Sequence, residues 1–215
     1  MKHYDNYIFD LDGTLLDTLT DLATSVNYAL RLHNMPEHPE GSIRIFVGNG
    51  VRKLVERAVP LNTPMDVTEL VLEDFRKHYL IHSMDNTKPY EGVMQMLGQL
   101  KKNGSLVGVV SNKFYVATEE LCSHFFGNLV DVSIGENEAG GIKKKPCPDT
   151  VLKAMQIMKA LPNNTVYIGD SDVDILTARN SGIPCISVLW GFRDKEFLLK
   201  HGATVFINHP SELFD

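Results

Sequence analysis

The 215-residue chain is 43% hydrophobic and 22% charged with a net charge of −6, which suits one large soluble domain, or a domain with a smaller insertion, built on an ordinary core. The acidic residues are spread along the chain, which argues against non-specific nucleic-acid binding, and no apolar run approaches the ~20 residues needed to span a bilayer. Met1-Lys2-His3 runs into a polar stretch with no signal-peptide core, and Cys122, Cys147 and Cys185 lack metal-ligand spacing, so the expectation is a cytoplasmic protein with free thiols.

The first element is an apolar run, Tyr7-Ile8-Phe9, that stops at Asp10-Leu11-Asp12-Gly13-Thr14. Side chains alternate along a strand, so a strand reaching this point aims Asp10 and Asp12 the same way. Two carboxylates facing one point repel unless a cation or a proton lies between them. The chain then changes character. Leu19, Leu22, Ala23, Val26, Ala29 and Leu30 form a helical stripe that Asp17 or Thr18 can cap. Pro36 and Pro39 end it. Ser42 is placed to cap a short turn through Phe46, and Gly48-Asn49-Gly50 leads into a helix with Val51, Leu54, Val55 and Ala58 on one face. A further helix carries Val67, Leu70, Val71, Phe75 and Tyr79. From residue 16 to residue 83 no convincing strand is found.

Beyond this stretch helices and strands alternate. A helix with Val93, Met94, Leu97 and Leu100 ends at Asn103-Gly104, since glycine accepts the left-handed conformation that closes helices. Strands are expected at 106–110, 130–134, 165–168, 185–188 and 204–207, with helices between them. That alternation predicts an α/β fold, a doubly wound parallel sheet with helices on both faces. The opening strand must pair with strands past residue 105, so the helical stretch is an insertion. The expected organisation is a discontinuous core, 1–15 and 84–215, interrupted by a helical domain at 16–83.

Three polar clusters follow strands directly: Asp10/Asp12, Ser111/Asn112 and Asp170/Asp174. Strand C-termini of such a sheet share one edge, where ligands bind. Lys143-Lys144-Lys145-Pro146 lies in a strand-to-helix loop that can reach the same edge. Carboxylates, a lysine, hydroxyl and amide groups and the backbone N–H groups at Gly13-Thr14 suit Mg²⁺ holding a phosphate.

Asp10-Leu-Asp12-Gly-Thr-Leu, Ser111-Asn112, Lys145-Pro146 and Gly169-Asp170 with Asp174 resemble, in order, the four signature motifs of the haloacid dehalogenase superfamily. The likeness covers the whole chain. The helical insertion resembles that superfamily's C1 cap, and Val47-Gly-Asn-Gly-Val51 and Pro89-Tyr-Glu-Gly-Val93 are similar to phosphoglycolate phosphatases. The resemblance implies a Mg²⁺-dependent phosphomonoester hydrolase acting on a small phosphorylated metabolite, with phosphoglycolate the leading candidate. A β-phosphoglucomutase-like mutase and an inorganic pyrophosphatase are the alternatives within the family; a non-enzymatic binding protein is the alternative outside it. No nucleic-acid or membrane partner is expected, and neither a monomer nor a dimer is favoured.

Carried over residue by residue, the resemblance makes Asp10 the nucleophile, Asp12 the proton carrier and Lys145 the charge-neutralising cation. Phosphate would be held by Gly13, Ser111, Asn112 and Lys145, and the metal by Asp10, Asp12, Asp170 and Asp174, the Asp12 share coming from its backbone carbonyl. Asp174 would place either the metal shell or the lysine. Gly48, Asn49 and Arg52 would bind the non-phosphate end of the substrate. Taken singly each motif has an ordinary reading: Asp172 as a helix cap, the lysine run as a solvated loop, Gly48-Asn49-Gly50 as a turn between helices. Trp190-Gly191-Phe192 either lines the site or packs elsewhere.

Overall fold

In the computed structural model, which describes residues 2–215, the chain forms two compact units by its internal contacts, one of residues 1–16 and 89–215 and the other of residues 17–88. The first begins with β1 (Asn6–Phe9), whose four residues are all buried. After the short β2 (Leu16–Asp17), the second unit is built from α1 (Leu19–Leu32), α2 (Glu40–Phe46), α3 (Val51–Ala58) and α4 (Met65–His82). The chain returns through β3 (Lys88–Pro89), which pairs with β2 in a two-stranded ribbon. Then follow α5 (Val93–Lys102), β4 (Leu106–Phe114), α6 (Tyr115–Phe126), β5 (Val132–Glu136), α7 (Asp149–Met158), β6 (Thr165–Gly169), α8 (Asp172–Asn180), β7 (Cys185–Val188), α9 (Lys195–Lys200) and β8 (Phe206–Ile207).

Six strands make one parallel sheet in the order β5-β4-β1-β6-β7-β8. β1 lies between β4 and β6, with Phe9 opposite Val109 on one side and Ile168 on the other. The chain order reverses about β1, the topological switch point at which such sheets bind ligands. Ile8, Val110, Ile134 and Tyr167 pack in one cluster with Val151, Ala154 and Met155 of α7 and Ala178 of α8. Tyr7, Phe9, Val109 and Ile168 alternate to the other face and are equally buried. Both faces are therefore dry, as a parallel sheet requires.

The helical unit has its own core, including Leu22, Val26, Ile43, Leu54, Leu72, Phe75 and Tyr79. α1 packs along α4, and Phe75 and Tyr79 stack with ring centroids 5.5 Å apart. The unit runs to Lys88, and near its end Asp21 on α1 accepts hydrogen bonds from the backbone N–H groups of Asn86 and Thr87 and from both their side chains, at 2.8–3.0 Å. The helix expected from Ser42 starts at Glu40, since the Pro39 carbonyl accepts the N–H groups of Ser42 and Ile43. β5 begins at Val132, two residues later than expected, after a 3-10 turn at residues 127–129.

Candidate active site

Asp10 directly follows β1 and Asp170 directly follows β6, its neighbour in the sheet. Ser111 lies on β4, the other neighbour, where pairing with β5 slips between Val110 and Phe114. Lys145 comes from the loop before α7. Asn112 sets its position by gripping its backbone from both sides: the Asn112 carbonyl accepts from Lys145 N at 2.7 Å, and its amide donates to Lys145 O at 2.9 Å. Both ends of the Asn112 side chain thus bond to the lysine backbone.

The Lys145 ammonium is buried among oxygens: Asp10 Oδ1 at 2.7 Å, Asp174 Oδ1 at 2.9 Å, the Tyr167 hydroxyl at 3.0 Å and the Val110 carbonyl at 3.3 Å. Burial alone would discharge this lysine, but the Asp10 and Asp174 carboxylates outweigh it and raise its pKa. Asp174 is the best-satisfied acid. Its Oδ1 accepts from Lys145 and Tyr167, and its Oδ2 from the Ser171 N–H at 3.1 Å and hydroxyl at 2.5 Å, which closes a capping box at the start of α8.

Asp170 sits in a slot made by absent side chains. A Cβ on Gly13 would lie 2.4 Å from Asp170 Oδ2, and one on Gly191 would lie 2.3 Å from Asp170 Cβ. The Phe192 N–H donates to Asp170 Oδ2 at 2.6 Å, and the Trp190 indole donates to the Thr14 carbonyl at 2.9 Å. The Trp190-Gly191-Phe192 stretch therefore lines the site.

Asp10, Asp170 and Asp174 each offer an oxygen within 4.8 Å of the others. Three buried carboxylates crowd around the Lys145 ammonium, and repulsion between their charges disfavours ionising all three together. Burial first, and then Asp174, push Asp170 up to about 7 and raise Asp10 well above the usual carboxylate range. Carboxylates that resist ionisation together are the donors a divalent cation relieves. The residues present fit a hard, oxygen-liganded metal.

Asp12 stands apart from this cluster. Its Oδ1 lies 3.1 Å from the Lys113 ammonium, whose side chain is 1% exposed, while that of Asp12 is 17% exposed. Lys113 and Tyr167 are the site residues that the motifs do not name. A polar atom within an apolar strand, and a lysine two residues beyond Ser111 on the same strand, were the available signals.

In the helical unit Gly48, Asn49 and Gly50 all take positive φ, and Arg57 donates to the Phe46 and Gly48 carbonyls across this turn. The Arg52 guanidinium forms a two-pronged ion pair with Glu69.

A model of haloacid dehalogenase-like hydrolases matches residues 7–188. The chain belongs to that family. Among curated relatives of this haloacid dehalogenase-like hydrolase, phosphoglycolate phosphatase of Aquifex aeolicus is 32% identical over 86% of this chain and 84% of its own. N-acetylmuramic acid 6-phosphate phosphatase of Pseudomonas aeruginosa is 30% identical over 97% and 92%. A solved structure of a candidate phosphoglycolate phosphatase from Lactobacillus delbrueckii subsp. bulgaricus superposes with a TM-score of 0.93, at 33% identity, covering 99% of this chain and 97% of that one. The fold and the parallel sheet are thus those of the family.

Proposed function

We propose that the protein is a Mg²⁺-dependent phosphomonoester hydrolase that works through an aspartyl-phosphate on Asp10. The observation that carries this reading is the Asp10–Lys145 contact at 2.7 Å, made at the sheet edge where Asp170 also converges. A carboxylate attacking a phosphate dianion meets like charge, so catalysis depends on neutralisation and in-line placement. Lys145 supplies one fixed cation there. Asp10, Asp170 and the Asp12 carbonyl would hold Mg²⁺, which when bound would neutralise and orient the phosphate. Asp174 then serves the lysine, holding its ammonium toward Asp10.

In this reading Ser111 and the Gly13 region receive phosphate oxygens while Asp10 forms the new P–O bond. Asp12 gives its proton to the departing alcohol, and in the second half takes one from the water that hydrolyses the aspartyl-phosphate. Gly48, Asn49 and Arg52 are candidates for the remote end of the substrate. If Arg52 serves it, the guanidinium must share itself with Glu69.

Phosphoglycolate is the leading substrate, as the activity of several relatives. N-acetylmuramic acid 6-phosphate is a second candidate, because the relative that acts on it aligns over 97% of this chain. Phosphate release from a panel of these two, pyrophosphate and p-nitrophenyl phosphate ranks them, and a coupled assay for glucose 6-phosphate from β-glucose 1-phosphate tests the mutase alternative. Asp10→Asn should lose about 10⁴-fold or more in kcat. Hydroxylamine should trap a labelled acyl phosphate from the native enzyme and none from the variant. Undiminished turnover by Asp10→Asn would end the proposal.

A further inference from the structure

We infer that Lys113 is a positioning residue for proton transfer by Asp12, an inference that rests on the role proposed above for Asp12. The two lysines of the site divide the two aspartates between them: Lys145 contacts Asp10 Oδ1 and Lys113 contacts Asp12 Oδ1. A lysine with 1% of its side chain exposed is costly to bury, and the ion pair with Asp12 offsets that cost. Its backbone is held as firmly. The Lys113 N–H donates to Ser111 Oγ at 3.1 Å and its carbonyl accepts from Thr118 Oγ1 at 3.3 Å. On β5, Gly135 leaves room for that carbonyl, which would stand 2.8 Å from a Cβ there. Lys113 is thus a fixed post rather than a mobile side chain. It pins one carboxylate oxygen of Asp12 and so sets the direction in which the carboxyl group faces the leaving oxygen. Placement of a proton donor to within hydrogen-bond reach is what general acid catalysis requires.

The step it serves balances as follows. The P–O bond to the substrate alcohol breaks, a P–O bond to Asp10 forms, and the Asp12 proton goes to the alcohol oxygen. Asp12 is left as a carboxylate beside the Lys113 ammonium. A poor leaving group such as an alkyl alcohol needs that proton, whereas p-nitrophenolate leaves without it.

The test compares kcat/KM, which reports this first transfer, on phosphoglycolate and p-nitrophenyl phosphate for Lys113→Met, Lys113→Gln, Lys113→Arg and Asp12→Asn. Thermal unfolding establishes that each variant is folded. Lys113→Met and Lys113→Gln should each lose about 10²-fold on phosphoglycolate and less than about threefold on p-nitrophenyl phosphate, with Lys113→Arg recovering part of the loss. Equal losses on both substrates, or none on either, would overturn the role of Lys113. Equal losses for Asp12→Asn would instead remove Asp12 as the proton carrier.

Discussion

Gly191 and Asp170 stand so close that any side chain at 191 would collide: a Cβ there would lie 2.3 Å from Asp170 Cβ and 2.4 Å from the Gly13 carbonyl. The second neighbour is backbone and cannot swing away. Gly191→Ala must therefore displace either the Asp170 carboxylate or the turn after β1. The expected outcome is a loss of at least about 10²-fold in kcat/KM, from the ~1 Å sensitivity of catalytic placement. Steady-state kinetics with p-nitrophenyl phosphate measure it, and activity within threefold of native would show that the slot is not needed.

The metal proposed for the carboxylates around Asp10 and Asp170 is open to a direct test. Dialysis against EDTA should abolish turnover, and Mg²⁺ should restore it. Asp170→Asn, which halves the acid available beside Asp10, should raise the Mg²⁺ concentration for half-maximal activity by about tenfold or more, equivalent to 1.4 kcal/mol. Full activity after thorough chelation would exclude the metal assignment.

The Tyr167 hydroxyl, on a strand that is otherwise apolar, accepts from the Lys145 ammonium and donates to Asp174 Oδ1. Tyr167→Phe keeps the ring's packing and deletes these two buried hydrogen bonds. Lys145 retains both carboxylates, so the loss in kcat should be modest, about tenfold. A loss as large as that of Lys145→Ala in the same assay would mean that the hydroxyl does more than brace the lysine.

Within the helical unit, Asp21 is buried and holds the Asn86 and Thr87 backbone N–H groups. Asp21→Ala leaves these donors unmatched. Urea titration should show a destabilisation of about 2–4 kcal/mol, and a midpoint unchanged from native would contradict it.

His78 is partly buried, stacked between Tyr28 at 4.1 Å and His82 at 4.3 Å, with Ser25 Oγ 3.0 Å from Nδ1. Burial, and then the His82 charge, lower its pKa from 6.5. The unfolded chain thus takes up this proton first as pH falls through 6.5, so acidification favours unfolding and stability rises with pH across that window. His78→Gln should lose less Tm than the native protein between pH 7.5 and pH 5.5. Parallel Tm curves for the two would refute the assignment.

The sheet and the carboxylates that follow β1 and β6 were legible because strand ends carry their meaning locally: an apolar run, then a carboxylate. Asp10 and Asp170 needed only the rule that parallel strands share an edge. The contacts of Asn112 and Lys113 were not legible, because each has its partner outside its own motif. Asn112 grips a backbone 33 residues on, and Lys113 reaches across the sheet edge to Asp12. Nor could the Asp170 slot be foreseen, since Gly191 acts through a side chain it lacks and the spacing from 13 to 191 carries no periodic signal. The Asp21 contacts could not be foreseen either, Asp21 being distant in sequence from the residues it holds.

The insertion enters through β2 and leaves through β3, and these two short strands are hydrogen-bonded to each other. To the sheet, the whole of residues 17–88 is then a single long loop with its base tied shut. Chain ends that lie side by side are what allow one segment to be spliced into another without disturbing the host. The register of β1, which places Asp10, is set by its own pairing with β4 and β6. An insertion tied in this way is an addition to the sheet's connectivity rather than a part of it.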